Sequence, residues 1–178
     1  MAVIIRQRQV VADNWQLLKP ATAGGIAIPA SGDVIVPFSL WREQREIFLN
    51  RSGRLGVWLE GHDDPALIVP DLRHFEVIAV NFAQFTDGRG YSIARLLRER
   101  YGWRGELRAI GDILRDQLFY LARCGFDAFA LREGQDAQAA LAAFDDFSEG
   151  YQSSVERPQP LFRRRSATAP KNVEQVDA

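Results

Sequence analysis

Apolar residues fall along this chain in short runs, and from the middle onward those runs alternate with stretches of helical period. Val3-Ile-Ile5 and Val10-Val11 read as two β-prone stretches, followed by Trp15. Pro20-Ala-Thr-Ala-Gly-Gly25 reads as a loop, because a proline and paired glycines punctuate the chain there. Asp33-Val-Ile-Val-Pro-Phe38 has the length of a short strand ending at proline, with Ser39 placed to cap a helix from Leu40 to about Leu49. Residues 1–52 therefore form a β-rich lead-in.

From Gly53 the pattern becomes regular. Arg54-Leu-Gly-Val-Trp-Leu59 is a strand-length apolar run, and Asp63-Asp64-Pro65 supplies acidic capping and a first-turn proline for a helix to about Phe75, interrupted by Pro70. Val77-Ile-Ala-Val-Asn-Phe82 is followed by a helix from about Ser92 to Tyr101, closed by Gly102. Glu106 to Ile110 precedes a helix from Asp112 to Arg123, ended by Gly125. Ala128 to Leu131 precedes an alanine-rich helix from Gly134 to about Gly150. Four consecutive βα units over residues 53–152 predict an α/β fold with a parallel sheet, either half of a (βα)8-like barrel or an open doubly wound sheet. No G-x-G-x-x-G follows the first strand, which weighs against the dinucleotide-binding form. Residues 1–152 read as one domain. Residues 153–178, with Arg157-Pro-Gln-Pro160 and Arg163-Arg-Arg165, read as a disordered polar tail.

Composition narrows the function classes. At 178 residues, 47% apolar and 25% charged, the chain has the make-up of a single globular domain that needs no disulfide or metal to hold its core. Its one cysteine, Cys124, has no partner for a bridge, which fits a reducing compartment, and the N-terminus lacks signal-peptide order; the expected location is cytoplasmic. A net charge of −1 argues against a nucleic-acid or anionic-lipid surface, and no apolar run approaches the ~20 residues of a membrane span. Of the 22 basic residues only Lys19 and Lys171 are lysine. Codon bias accounts for that, as does a preference for guanidinium forks, which bind oxyanions well.

In parallel α/β architectures, the loops at the C-terminal strand ends carry the site. The segment Phe85-Thr-Asp-Gly-Arg-Gly-Tyr-Ser92 stands out there. Gly88 and Gly90 permit close backbone approach, Arg89 adds charge, and the helix start beside Ser92 offers free N–H groups; together they form a candidate phosphate, sulfate or sulfite site. The same residues also describe a plain strand-to-helix turn capped by Asp87 or Ser92. Arg108, near the next strand's end, either converges with Arg89 on one anion or pairs with Asp87 or Asp112. Asp112 follows Gly111 as an N-cap or a general base, and Asp87 is the second candidate acid/base group. Asp112 and Asp116 are spaced to share a helix face, but no histidine or third carboxylate accompanies them, so no metal site is expected. His62 and His74 lack ligand spacing. Cys124, at a helix C-terminus, reads as a small buried hydrophobe. No cofactor motif is present, and none is required. Nine arginines against five carboxylates between Arg89 and Arg132 face five carboxylates and no base between Glu133 and Glu149, a pattern of complementary surfaces or of a solvated helix face.

Beyond these local readings, Phe85 to Ser92, Ala94 to Gly102, Gly105 to Asp112, Arg115-Asp-Gln117 and Arg123 to Phe129 together resemble the bacterial family catalogued as domain of unknown function 934, with Gly53 to Val57 upstream and Tyr151-Gln152 downstream. That resemblance implies no catalytic residue. It does imply a gene beside the haemoprotein of assimilatory sulfite reductase, hence an accessory protein of sulfite reduction and cysteine synthesis that binds the reductase or its oxyanion. The other reading is an enzyme on a partial βα barrel, acting by acid/base chemistry on a small phosphorylated or sulfo-anion substrate. A half barrel leaves an apolar face to be covered by the lead-in or by a second copy in a homodimer.

Overall fold

The structure is a computed structural model that describes residues 2–19, 27–148 and 150–168; the loop read at 20–25, Glu149, Lys171 and the end of the tail lie outside them. Among the described residues eight strands form one sheet: β1 (Val3–Arg6), β2 (Gln9–Ala12), β3 (Gln16–Leu17), β4 (Val34–Pro37), β5 (Leu55–Leu59), β6 (Val77–Phe82), β7 (Glu106–Gly111) and β8 (Ala128–Phe129). Their spatial order is β2-β1-β8-β7-β6-β5-β4-β3. From β3 to β8 neighbours are parallel and follow one another in sequence, whereas β1 runs antiparallel to both β2 and β8.

The sheet is therefore mixed, where the pattern predicted a parallel one. The cause is the two-residue connection Gln7–Arg8, which can only fold the chain back on itself, since a parallel return needs a dozen residues or more. Both residues take positive φ, 50° and 61°, the conformation of a hairpin turn whose twist suits its strands. The lead-in is no separate element: it contributes β1 to β4, and strand–helix alternation begins there, with β4 running straight into α1 (Phe38–Leu49). That helix starts one residue before Ser39, with Pro37 at its N-terminal boundary and no side-chain cap, and is broken at Gln44.

Helical segments depart from the predicted ones where glycine or proline intervenes. Asp64 caps the next segment as expected, its carboxylate accepting from Ala66 N at 2.9 Å, but Pro65–His74 with Pro70 inside is a 3-10 helix. α2 (Arg89–Arg95) ends in a π turn over Leu96–Arg100. The helix expected from Asp112 begins at Arg115 as a 3-10 turn leading into α3 (Leu118–Arg123), because Gly111 at φ +97° carries the chain on alongside β6. α4 (Ala137–Ala140) continues as a 3-10 segment to Asp145. The stretch expected as a disordered tail is built as far as Thr168. Arg123 anchors it, receiving Val155 N on its carbonyl at 3.1 Å and donating to Gln152 O at 2.6 Å; Ser154 is buried, and α5 (Leu161–Thr168) follows.

Sequential parallel neighbours put the crossovers on one side of the sheet. Alternate strand residues accordingly divide. Val57, Leu59, Ile78, Val80, Leu107 and Phe129 belong to the large core beneath the helices, whereas Ile35, Trp58, Val77, Ala79 and Ile110 form a smaller cluster on the opposite face. That second face is buried because the sheet curls. Its edge strands β2 and β3 are joined only by Asp13, Asn14 and Trp15, which reach at most about 14 Å from Ala12 to Gln16. In a flat sheet of eight strands the edges would stand about 34 Å apart. Trp15 and Leu17 pack into the hollow, so the chain itself occupies the face for which a second copy was a candidate.

Candidate functional site

The strands β3 to β8 end together, and the loop after β6 is held there by three contacts. Phe85 N donates to Asp112 Oδ2 at 3.1 Å, and Gln117 Nε2 reaches Phe85 O and the Tyr91 hydroxyl, each at 3.2 Å. Gln117 is itself fixed, its Oε1 accepting from Leu114 N at 2.9 Å, and it is buried. Asp112 also accepts from Arg132 Nη1 at 3.1 Å. Its position differs from the N-cap expected: it clasps the loop after β6 to the chain after β8. No continuous helix relates Asp112 to Asp116.

Asp87 and Arg89 face each other in a two-point pair. Arg89 Nε and Nη2 donate to the two Asp87 oxygens at 2.9 and 2.7 Å, and Arg89 N donates to Oδ1 at 3.1 Å. The guanidinium first, and then the backbone N–H, hold the Asp87 carboxyl down at about 2. Arg89 is 61% exposed, and its Nη1 makes no hydrogen bond among the described residues. The outer end of the fork is thus free while the inner edge fixes its direction. A Cβ at Gly61 would come within 3.0 Å of Asp87 Oδ2 and 3.2 Å of Arg89 Nε, which places the pair beside the loop after β5. Gly88 has open space around it. Gly90 does not: a Cβ there would stand 2.6 Å from the Phe82 ring, so this glycine serves the packing of α2 on the sheet. Ser92 is exposed within α2, which makes no side-chain cap.

Arg108 is elsewhere. It sits within β7 on the inner face, 2% exposed, with Nη1 at 3.1 Å from both Asp13 oxygens and Nε at 2.7 Å from Glu106. Pairing with carboxylates was one of its two expected roles, but its partners are Asp13 and Glu106 rather than Asp87 or Asp112, and the structure does not bring it to Arg89.

Two more residues at these strand ends, both in the loops that the strand-end rule selects, were given no role from the sequence. Asn81 Nδ2 donates to Glu60 Oε2 at 3.0 Å, and Glu60 N is held by Asp63 Oδ2 at 2.7 Å. Asn81 shares with Leu17, Lys19, Trp58 and Ile110 a cavity of about 360 Å3 at the mouth of the curled sheet. The signal was present: Asn81 is the one polar residue in the run Val77 to Phe82, and Glu60 follows Trp58 with the two-residue spacing of a single sheet face.

The remaining chemistry is quiet. Cys124 is buried, and burial pushes its thiol up. His74 lies against Arg45 and Arg73. Among the described residues no cluster of His, Cys, Asp or Glu has the arrangement to hold a metal ion, and no helix is long and apolar enough to cross a membrane. The acidic stretch after Glu133 finds its complement within the chain: Asp145 pairs with Arg8 at 3.2 Å and Asp146 with Arg115 at 3.6 Å.

Comparison with known proteins gives one match, over residues 56–162, to the family model described as bacterial protein of unknown function (DUF934). No curated protein and no solved structure matches the chain. The match spans more than half of the sequence, and the chain belongs to that family.

Proposed function

We propose, with membership of this family as the premise, that the protein is an accessory component of assimilatory sulfite reduction that acts by binding the reductase or its oxyanion. The observation that carries this reading is the oriented, exposed fork of Arg89. Asp87 fixes its inner edge, and the free Nη1 side offers two-point hydrogen bonding to a tetrahedral or pyramidal oxyanion, or to a carboxylate on a protein surface. The Gly88 turn leaves room for that approach, and Ser92 lies on the helix that follows. The link to sulfite comes from the genomic setting that the family resemblance implies. The pairing of Asp87 and Asp112 supports binding over turnover, because an acid/base role on a phosphorylated or sulfo-anion substrate requires one of them to give up its arginine.

The test is growth of a strain lacking the gene, complemented in trans, on sulfate, sulfite, sulfide or cysteine as sole sulfur source. Failure on sulfate and sulfite with recovery on sulfide, restored by the native gene and not by Arg89→Gln, is the expected result. Normal growth on all four overturns the reading, as does full rescue by Arg89→Gln.

A further inference from the structure

At the opposite end of the sheet from the Arg89 loop, the chain encloses a second cavity, of about 350 Å3, which lies in the range of small-molecule sites. The hairpin turn at Arg8, helix α3, the 3-10 segment ending at Asp145 and the stretch from Ser148 to Arg164 close around it. Its place follows from Gln7, whose N–H donates to Asp127 O at 2.9 Å and so seats the turn at the start of β8. The walls are aromatic. Phe119 and Phe147 lie with ring centroids 5.1 Å apart, Phe144 forms another side, and guanidinium groups sit over two of these rings, Arg8 over Phe144 at 5.3 Å and Arg123 over Phe119 at 5.7 Å. Phe147 is 65% exposed, an apolar ring at the cavity's lip that the fold leaves uncovered.

Charge is spread unevenly over this cavity. Among the described residues its lining holds four guanidinium groups, of Arg8, Arg123, Arg157 and Arg164, and two carboxylates, a surplus of positive charge in a chain whose net charge is −1. Both carboxylates, of Asp145 and Glu156, belong to exposed residues, whereas Arg123 and Arg164 are half-buried. The acids therefore stand at the rim and these two cations in the walls. Arg123 is fixed there from three sides: the Phe119 ring lies against its plane, Nη2 donates to Gln152 O at 2.6 Å, and Gly150 passes so close that a Cβ there would overlap Nη1. Ser154, 7% exposed, accepts on Oγ from Arg157 N at 3.0 Å, and its hydroxyl hydrogen has no acceptor among the described residues. Aromatic walls, surplus cations and a buried hydroxyl donor are complementary to a planar ring joined to a phosphate ester, which carries a charge of about −1.5 to −2 at neutral pH. A neutral ring would leave the cations uncompensated, and phosphate alone would leave the rings unused.

We infer that this cavity binds a small aromatic phosphate ester, its ring among Phe119, Phe144 and Phe147 and its phosphate on Arg123, Arg164 and Ser154. A simple aryl phosphate and a nucleoside monophosphate share that chemistry. The experiment is calorimetric titration of the full-length protein with phenyl phosphate and with AMP, beside inorganic phosphate, which lacks the ring, and adenosine, which lacks the phosphate. Saturable binding of at least one ester is expected, tighter than either control by about ten-fold or more, and the ester preferred tells an aryl phosphate from a nucleotide. Phe147→Ser, at an exposed position whose loss leaves the fold intact by circular dichroism, is expected to weaken that ester by about ten-fold. Gly150→Ala displaces the Arg123 guanidinium from its wall without entering the core, and is expected to weaken the ester by about ten-fold as well. Absence of saturable binding of both esters at tens of millimolar overturns the inference, as does a control that binds as tightly as the ester, or binding that either variant leaves intact. None of these readouts involves sulfur sources or Arg89, so this site and the proposed function fail independently.

Discussion

At the scale of the residue, the Asp87–Arg89 pair is the clearest case of a side chain whose chemistry is set by its neighbour. The folded carboxyl sits at about 2, below its ordinary 3.8, so the pairing favours the folded state above the unfolded value and is lost as pH falls toward 2. A carboxyl-resolved NMR titration is expected to find the Asp87 midpoint near 2 in the native protein and back in the ordinary carboxylate range in Arg89→Gln. A native midpoint near 4 would mean that the pair does not form in solution. At neutral pH Asp87 carries no proton to give. Its two oxygens fix the direction of Arg89.

At the scale of the element, packing decides what the loops present. Gly90 lets α2 lie against Phe82, and Gln117 and Asp112 hold the preceding loop from two sides. Gly90→Ala is expected to cost about 1–3 kcal/mol in urea unfolding, since the added methyl meets an aromatic ring that has no room to retreat. An unchanged midpoint would show that the helix can shift at no cost. Seven of the eight described strands were legible in the sequence as short apolar runs, β3 with its Gln16–Leu17 being the exception, and Asp64 with Pro65 marked a helical start correctly. The hairpin turn was not legible: Gln7 and Arg8 take left-handed conformations without the glycine or asparagine that normally signals them. Nor was the clasp of Asp112, whose partners Phe85 and Arg132 lie 27 and 20 residues away. Position relative to a strand end told which loops leave the C-terminal ends of the strands, but not which way each side chain there would turn.

At the scale of the whole molecule, the short link between the two edge strands closes the sheet around an inner layer, and one ionic contact ties that layer together. Arg108 reaches Asp13 across 95 residues of sequence, on a strand three places away from β2 in the sheet. Because Arg108 is 2% exposed, Arg108→Met strands Asp13 without its cation and leaves Glu106 only the more distant Arg6 at 3.7 Å. The expected loss of stability is about 3–5 kcal/mol by denaturant unfolding, and a loss below about 1 kcal/mol would place these carboxylates in solvent. No local pattern marks such a contact, since an arginine inside an apolar run looks the same whether it ends in water or in a buried pair.

The pairing of β1 with β8 also has a bearing on how the chain is made. Ile5 lies beside Phe129, so β1 cannot pair with β8 until some 120 residues have followed it from the ribosome. Throughout that interval the N-terminal hairpin has one unpaired edge and a buried-type face, Ile4 and Ile5, with nothing yet to cover them. The arrival of β8 is therefore also what covers that edge of β1, and synthesis that stalls before residue 128 leaves the β1–β2 hairpin exposed to misassembly.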